Sequence, residues 1–165
     1  MKLCPGGSGV RRAVTGIGGY VLEDQIGFRL RVASQRHLEI FAAALPELTP
    51  TQFSALVKLR EAGVLSQNRL GRLVAVDAAT IKGVIDRLRA KGLVETRPSE
   101  RDRRRLEVSL TAQGEAAVGA ALPVARAISA RTVARLEAAE VAQLLALLER
   151  IGEAEEAPGG EGAAG

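Results

Sequence analysis

The amino-acid sequence predicts a mainly α-helical fold with one small β-hairpin. Three observations lead to this prediction. Apolar residues recur at helical spacing along most of the chain, residues 93–110 alternate as two short strands, and the connection between those strands is crowded with arginines. A helix followed by a basic hairpin is the layout of a winged helix-turn-helix, which is flanked here by further helices on both sides.

The first two helices are predicted from apolar spacing and capping residues. A long helix over 21–45 carries a single apolar stripe. The second begins after Thr49, where Thr49, Pro50 and Gln52 combine an N-cap, a proline in the first turn and the second partner of a capping box, and it ends at Gly63. The stripe of the first helix consists of Leu22, Ile26, Leu30, Ala33, His37, Phe41 and Ala44.

Residues 66–90 predict two helices joined by a short turn. Ser66 is placed to cap the third helix, and Asp77 to cap the fourth, which follows the turn 75–77. The outward face of the fourth helix is small, polar and basic, which permits close approach to a DNA major groove, and Thr80 can offer a hydroxyl and a methyl to base edges. An ordinary amphipathic surface helix is the alternative interpretation. The inward residues are Ile81, Val84, Ile85 and Leu88, and the outward ones are Ala79, Thr80, Lys82, Gly83 and Arg87.

The segment after the fourth helix predicts a hairpin with a basic tip, which we call the wing. Gly92 occupies the position of a helix C-terminal glycine, strands follow over 93–97 and 106–110, and a polar connection spans 98–105. A projecting basic loop suits a phosphate backbone or a minor groove, whereas a solvated run of charges is the alternative. The connection contains Arg101, Arg103, Arg104 and Arg105, together with Glu100 and Asp102.

Positive charge is concentrated in the same part of the chain. The segment 66–105 carries eleven basic and five acidic side chains, a net charge of +6, whereas the whole chain of 165 residues has +4. That concentration is typical of a nucleic-acid footprint. With three Phe, one Tyr and no Trp, the chain has few rings on which single-stranded bases could stack, so double-stranded DNA is the predicted partner.

Two more helices are predicted after the wing. Thr111 caps a helix that extends to about residue 136 and contains Pro123, and residues 137–151 form the last one. Together with the first helix they are richer in apolar residues than a monomer of this size needs, so we expect a homodimer. Two reading helices related by a two-fold axis would recognise a pseudo-palindromic operator.

Composition also excludes several classes of protein. No apolar run approaches the roughly 18 residues of a membrane span and no signal-peptide core is present, so a cytoplasmic location is expected. One His and one Cys leave neither a catalytic triad nor a zinc site, so we predict no enzyme, metal or cofactor. The single Cys4 cannot form an internal disulfide. A winged helix that binds another protein, without sequence-specific DNA binding, is the alternative function.

The order of the elements resembles the MarR family of bacterial transcriptional regulators. The resemblance covers roughly residues 22–150 and rests on the segments DAATIKGVIDRLRAKGLVETR and SERDRRRLEVSLT with the AQG that follows. It implies a MarR-like domain over 20–152. Within it, the winged helix-turn-helix occupies 49–110, and the dimerisation helices occupy 20–48 and 111–152. The leader 1–19 and the tail 153–165 are predicted to be disordered, because both are rich in small residues and lack apolar periodicity.

The resemblance also assigns roles to the wing. It implies that Asp102 and Arg104 brace the wing and that Arg103 enters the minor groove, with Arg101, Arg104 and Arg105 also within reach of the groove. The DNA-contacting residues expected are Ser66, Asn68, Arg69, Ala79, Thr80, Lys82, Gly83, Arg87, Arg101, Asp102, Arg103, Arg104 and Arg105.

An effector pocket between the dimerisation helices and the winged helix is implied as well, for small aromatic acids, phenols or aryl-coenzyme A thioesters. His37 lies on the apolar stripe beside Arg36, with Arg29 two turns earlier. An arginine there could hold an anion while an aromatic ring lies among Phe41 and Phe53. A core or interface role for His37 is the alternative. We therefore expect a dimeric repressor that such an effector releases from its operator.

Overall fold

The computed structural model describes residues 19–99, 102 and 105–153 of the chain. Within these ranges a short 3-10 turn is followed by helices and strands that confirm the predicted fold class. The helices are α1 (Ile26–Ala44), α2 (Pro50–Ala62), α3 (Gln67–Leu73), α4 (Ala78–Ala90), α5 (Ala112–Thr132) and α6 (Ala138–Gly152). The strands are β1 (Leu65–Ser66), β2 (Val94–Pro98) and β3 (Leu106–Leu110). The predictions for residues 1–18 and 154–165, Cys4 included, fall outside the described residues.

The sheet has one strand more than the predicted hairpin. Its antiparallel order is β1-β3-β2, with Val94 of β2 opposite Leu110 of β3 and Leu65 of β1 opposite Val108. The sequence misses β1 because two residues show no alternation that could be detected. Through this pairing the short strand joins the start of α3 to the middle of β3.

Two helix ends differ from the prediction. The first helix does not begin at residue 21. A 3-10 turn at Leu22–Asp24 comes first, and Gln25 is extended (φ −83°, ψ 132°) before α1 starts. The side-chain amide of Gln25 donates to the carbonyl of Val21 at 2.9 Å, which closes that turn separately from α1. Helix α5 stops at Thr132 and not near residue 136, because Val133 leaves the helical conformation (φ −103°, ψ 16°).

The core of the winged helix lies between α2, α4, the sheet and the first half of α5. All four residues predicted for the inward face of α4 are at most 2% exposed, which confirms that prediction. A second, smaller cluster joins α1 to α5 through Ile40, Phe41 and Ile128. The main core contains Ala55, Leu56, Leu59, Leu65, Leu70, Ile81, Val84, Ile85, Leu88, Leu93, Val94, Val108 and Val118.

The predicted caps are present. The backbone N–H of Thr49 donates to Oε1 of Gln52 at 3.1 Å, and the N–H of Gln52 donates to Oγ1 of Thr49 at 3.2 Å, so the capping box of α2 is complete. Ser66 Oγ accepts the N–H of Arg69 at 3.4 Å at the start of α3. These bonds fix where each helix begins.

The turn between α3 and α4 sets the direction of the fourth helix. Ala75 has φ 55°, its N–H donates to the carbonyl of Arg72 at 3.2 Å, and the N–H of Val76 donates to the carbonyl of Gly71 at 3.0 Å. This pair of bonds is a Schellman C-cap with alanine at the left-handed position that glycine usually takes. Helix α4 ends in the same motif, with Gly92 at φ 70°.

A second junction holds the end of α4 against the start of α5. The N–H of Thr111 donates to the carbonyl of Leu93 at 3.1 Å, and its hydroxyl donates to the carbonyl of Gly92 at 2.7 Å. Thr111 Oγ1 also accepts the N–H of Gly114 at 3.0 Å. A Cβ on Gly114 would lie 2.0 Å from the carbonyl oxygen of Leu93, so only glycine allows this approach.

We expect Gly114→Ala to lower the free energy of unfolding by about 2–3 kcal/mol, because the new methyl group has to push the backbone of Leu93 away. Urea denaturation followed by circular dichroism measures the change. Gly119→Ala in the same helix is the matched control, since its Cβ would meet only Nη1 of Arg60 at 3.7 Å. The control should raise stability by about 0.5–1 kcal/mol through helix propensity, and equal effects of the two variants would contradict the steric explanation.

We expect Ala75→Gly to raise the free energy of unfolding by about 0.5–1 kcal/mol, because glycine removes the cost of a left-handed alanine. Gly92→Ala, at the corresponding position of α4, should lower it by about 1 kcal/mol or more. Thermal and urea unfolding of both variants measure these changes. A loss of stability in Ala75→Gly would show that some other contact of the alanine methyl outweighs the backbone cost.

Candidate DNA interface and effector site

The N-terminus of α4 is organised by Asp77. One carboxylate oxygen, Oδ1, accepts the backbone N–H of Thr80 at 2.7 Å, and the other, Oδ2, accepts the Thr80 hydroxyl at 2.8 Å. The backbone hydrogen bond from Thr80, followed by that from its hydroxyl, holds the pKa of Asp77 below its usual value. Both side chains are exposed, so the predicted N-cap also shapes a surface that a ligand can reach.

Basic side chains continue along the exposed face of α4. Lys82 Nζ lies 2.8 Å from Oδ2 of Asp86, and Nη2 of Arg89 lies 3.7 Å from Oδ1 of the same carboxylate. The hydrogen bond from Lys82 lowers the pKa of Asp86. The Arg87 guanidinium lies over Gly83, 3.5 Å from where a Cβ would be. A Cβ at that distance would make an ordinary van der Waals contact, so this arrangement does not require glycine.

Helix α3 and the beginning of β3, at the tip end of the wing, form a polar recess of about 300 Å³. Ser66 and Asn68, both predicted DNA contacts, line it, whereas Arg69 is exposed one position further on. Arg72 also lines the recess but is not among the predicted DNA contacts. Its position four residues after Asn68, on the same side of a helix, is the signal that could have identified it. The complete lining is Ser66, Gln67, Asn68, Arg72, Arg105 and Leu106.

The described part of the wing is held by charged pairs. Nε of Arg105 lies 3.3 Å from Oδ2 of Asp102, and the backbone N–H of Arg105 donates to the carbonyl of Asp102 at 2.8 Å. Across the two strands, Nε of Arg97 lies 3.3 Å from Oε2 of Glu107.

Three of the predicted wing arginines, Arg101, Arg103 and Arg104, lie outside the described residues. The Asp102–Arg104 brace and the insertion of Arg103 into a minor groove therefore stay predictions.

Three of the predicted effector residues come together between α1, α2 and α5. The ring centroids of Phe41 and Phe53 are 6.0 Å apart at 60°, and those of His37 and Phe41 are 6.2 Å apart. Nδ1 of His37 lies 3.0 Å from Oγ1 of Thr132. The Thr132 hydroxyl donates to the carbonyl of Ile128 at 2.9 Å, so its oxygen accepts from the histidine. His37 therefore carries a hydrogen on Nδ1, and in the neutral ring Nε2 is an acceptor.

The two predicted arginines are not part of this cluster. Arg36 is exposed, with Nη1 3.5 Å from Oε2 of Glu39, and Arg29 is exposed on α1. A separate, mainly apolar hollow of about 500 Å³ lies where the α1–α2 connection meets the end of α4 and α5, and none of the predicted effector residues lines it. It is lined by Leu45, Glu47, Leu48, Lys91, Leu93, Gln113, Ala117, Ala120 and Ala121.

In the described part of the chain, no group of three or more His, Cys, Asp or Glu side chains is arranged to hold a metal ion. None of the helices within the same ranges is both long and apolar enough to cross a membrane.

Known proteins share both the sequence pattern and the fold. A model of the MarR family matches residues 48–106. The transcriptional repressor NicR of Pseudomonas putida is 42% identical over 142 residues, which cover 85% of this chain and 90% of NicR. Bordetella bronchiseptica BpsR, whose DNA binding is regulated by 6-hydroxynicotinic acid, superposes with a TM-score of 0.80 at 37% identity, covering 82% of this chain and 99% of BpsR. A MarR variant from Escherichia coli in complex with operator DNA gives a TM-score of 0.72 at 28% identity, covering 77% and 93%.

These similarities confirm the predicted resemblance. They also confirm the prediction that the chain is not an enzyme, because its relatives regulate transcription. The repressor NicR matches the protein over most of both chains at 42% identity. This protein belongs to the MarR family of transcriptional regulators.

Proposed function

We propose that this protein is a dimeric repressor that binds a pseudo-palindromic operator in double-stranded DNA and leaves it when a hydroxylated aromatic acid binds. The observation that carries the proposal is the exposed face of α4, where Thr80, Lys82 and Arg87 lie outside the core on a helix that packs against β2 of the wing. The operator complex of the E. coli relative supports DNA as the partner. The regulation of BpsR by 6-hydroxynicotinic acid supports the class of effector.

The DNA contacts follow from the chemistry of this face. Thr80 is near the N-terminus of the reading helix, where side chains reach base edges. Lys82 and Arg87 are suited to phosphates. The Lys82–Asp86 pair joins side chains that are 68% and 45% exposed, and such pairs contribute only about 0–1 kcal/mol, so DNA can replace the carboxylate at little cost. Arg72 and Arg105, on the polar recess, extend the same positive surface to the wing.

Unpartnered apolar surface supports the dimer. None of the residues of α6 is buried, although the helix carries a continuous apolar stripe. The first part of α1 is also exposed, with Ile26 at 67%. A second copy would cover both surfaces, because exposed apolar patches of this extent mark interfaces. The exposed large apolar residues of the 3-10 turn, α1 and α6 are Leu22, Ile26, Leu30, Val32, Leu38, Leu145, Leu147, Leu148 and Ile151.

The effector site that we propose is the cluster of His37, Phe41 and Phe53. An aromatic acid would pack its ring against the two phenylalanines, and its ring hydroxyl would donate to Nε2 of His37. The carboxylate would bind Arg29 or Arg36, both of which are exposed on α1. The bond from Arg36 to Glu39 is an exposed pair that a ligand can replace.

Helix α2 provides a route from this cluster to the DNA-binding surface. Phe53 packs against the α1–α5 cluster, whereas Leu56 and Leu59, one and two turns later, belong to the winged-helix core. A ligand that displaces Phe53 would tilt α2 and the winged helix attached to it. In a dimer, such a tilt would alter the spacing of the two reading helices and lower operator affinity.

We expect the purified protein to enrich a two-fold symmetric motif from random duplexes and 6-hydroxynicotinic acid to weaken binding to that motif by about 5- to 150-fold. Fluorescence anisotropy of a labelled operator measures the change. Nicotinic acid is the matched control ligand, because it lacks the hydroxyl that would donate a hydrogen bond to His37. It should weaken operator binding much less. Phenols and aryl-coenzyme A thioesters, tested alongside, distinguish the other effector classes.

The protein controls for this experiment lie at Thr132. Thr132→Val removes the acceptor that orients His37 and should reduce the response to the acid without reducing operator affinity, whereas Thr132→Ser should retain the response. Equal responses to nicotinic and 6-hydroxynicotinic acid would show that His37 does not read the hydroxyl. A protein that enriches no motif would instead favour the protein-interaction function.

We expect Leu145→Glu to convert the dimer to a monomer, because it places a charge on the apolar face of α6, where Leu145 is 63% exposed in one chain. Analytical ultracentrifugation measures the mass. Val64→Glu is the control, since Val64 is also an exposed apolar residue, at 45%, but lies between α2 and β1 and away from α1 and α6. A Leu145→Glu variant that sediments as a dimer would contradict the proposed interface.

A further inference from the structure

The hydrogen bonds of Asp77 determine which chemical character Thr80 presents to DNA. Both carboxylate oxygens of Asp77 are used by Thr80, one by its backbone N–H and one by its hydroxyl. A hydroxyl has only one hydrogen, and an ionised carboxylate can only accept. The pKa of Asp77 is lowered, chiefly by the backbone N–H of Thr80, so the carboxylate is ionised at neutral pH. The hydroxyl hydrogen of Thr80 is therefore committed to Asp77.

The side chains exposed at the N-terminus of α4 then offer hydrogen-bond acceptors and methyl groups. Thr80 offers the lone pairs of Oγ1 and its methyl group, and Asp77 offers its remaining lone pairs. Their neighbours Ala78 and Ala79 are exposed and have no side-chain donor. The next side-chain donor on the exposed face is Lys82, two residues after Thr80.

We propose that Asp77 fixes Thr80 as a hydrogen-bond acceptor, so that the N-terminus of α4 selects a base whose major-groove edge donates, cytosine through N4 or adenine through N6. The inference rests on the proposed function, because it requires α4 to read an operator. Guanine presents two acceptors in the major groove and thymine presents one, so neither can bond to an oxygen whose hydrogen is already used. Asp77 acts through Thr80 and is a positioning residue.

The charge of Asp77 is consistent with this role. A carboxylate that faced phosphates would only weaken binding, whereas one at the tip of the reading helix is directed towards base edges, where carboxylates accept from cytosine. It also satisfies an N–H at the start of the helix, so it contributes to folding and to specificity at the same time.

Selection of bound duplexes from a random library tests the inference with four full-length proteins: the wild type, Asp77→Asn, Thr80→Val and Thr80→Ser. In Asp77→Asn the amide oxygen still caps the backbone N–H, but the amide nitrogen donates to Oγ1 and releases the hydroxyl hydrogen. We expect one position in each half-site to change from cytosine or adenine towards guanine or thymine. Thr80→Val should lose discrimination at that position by roughly threefold to tenfold, the value of one hydrogen bond, and Thr80→Ser should keep it.

Asp86→Asn is the matched control. It removes another solvent-accessible carboxylate of α4, one that contacts Lys82 and not Thr80. It should raise affinity for all sequences alike and leave the motif unchanged. The inference is overturned if the wild type enriches a motif and Asp77→Asn enriches the same bases at every position, or if Thr80→Val discriminates as the wild type does. A wild type that enriches no motif overturns the proposed function and this inference with it.

Discussion

The junction of Gly92 and Leu93 with Thr111 and Gly114 is the constraint on which the rest of the winged helix depends. Thr111 bonds to the carbonyls of both residues that leave α4, and Gly114 allows the backbone of α5 to touch that of Leu93. The wing begins at one side of this junction and returns to the other, so its base cannot move relative to α4. Because buried backbone contacts do not deform gradually, α4, the wing and the start of α5 behave as one body.

This rigidity restricts how an effector can act. Under the proposed function, a ligand cannot easily bend α4 against the wing, so we expect it to move the whole winged helix relative to α1, α5 and α6. The structure offers α2 for that purpose, because Phe53 faces the α1–α5 cluster while Leu56 and Leu59 are embedded in the winged-helix core. A displacement of Phe53 would therefore move α4 while the packing inside the winged helix is kept. A change of this kind needs differential binding of only about 1–3 kcal/mol to alter operator occupancy.

The sequence predicts what depends on neighbours along the chain. The cap at Asp77 and the left-handed Gly92 follow from residue type and from the apolar period beside them, and both are present. The break at Gln25 does not follow, because it depends on a side-chain bond that competes with helix propagation. The bond from His37 to Thr132 joins residues 95 positions apart, so no local pattern could reveal it. For the same reason the sequence predicts the helix caps of the winged helix better than it predicts the contacts of His37.

The two carboxylates of α4 show how such a face can balance affinity against selectivity. Asp77 and Asp86 both place negative charge beside a surface proposed to meet phosphates, and each lowers the attraction that drives nonspecific binding. Asp86 holds Lys82 in a pair that phosphate can replace, which reduces affinity for every sequence to a similar extent. Asp77 holds the hydrogen of Thr80, which penalises only those bases that need a donor. A repressor gains more from the penalty on wrong bases than it loses through weaker attraction to all sequences, because its operator competes with an excess of nonspecific sites.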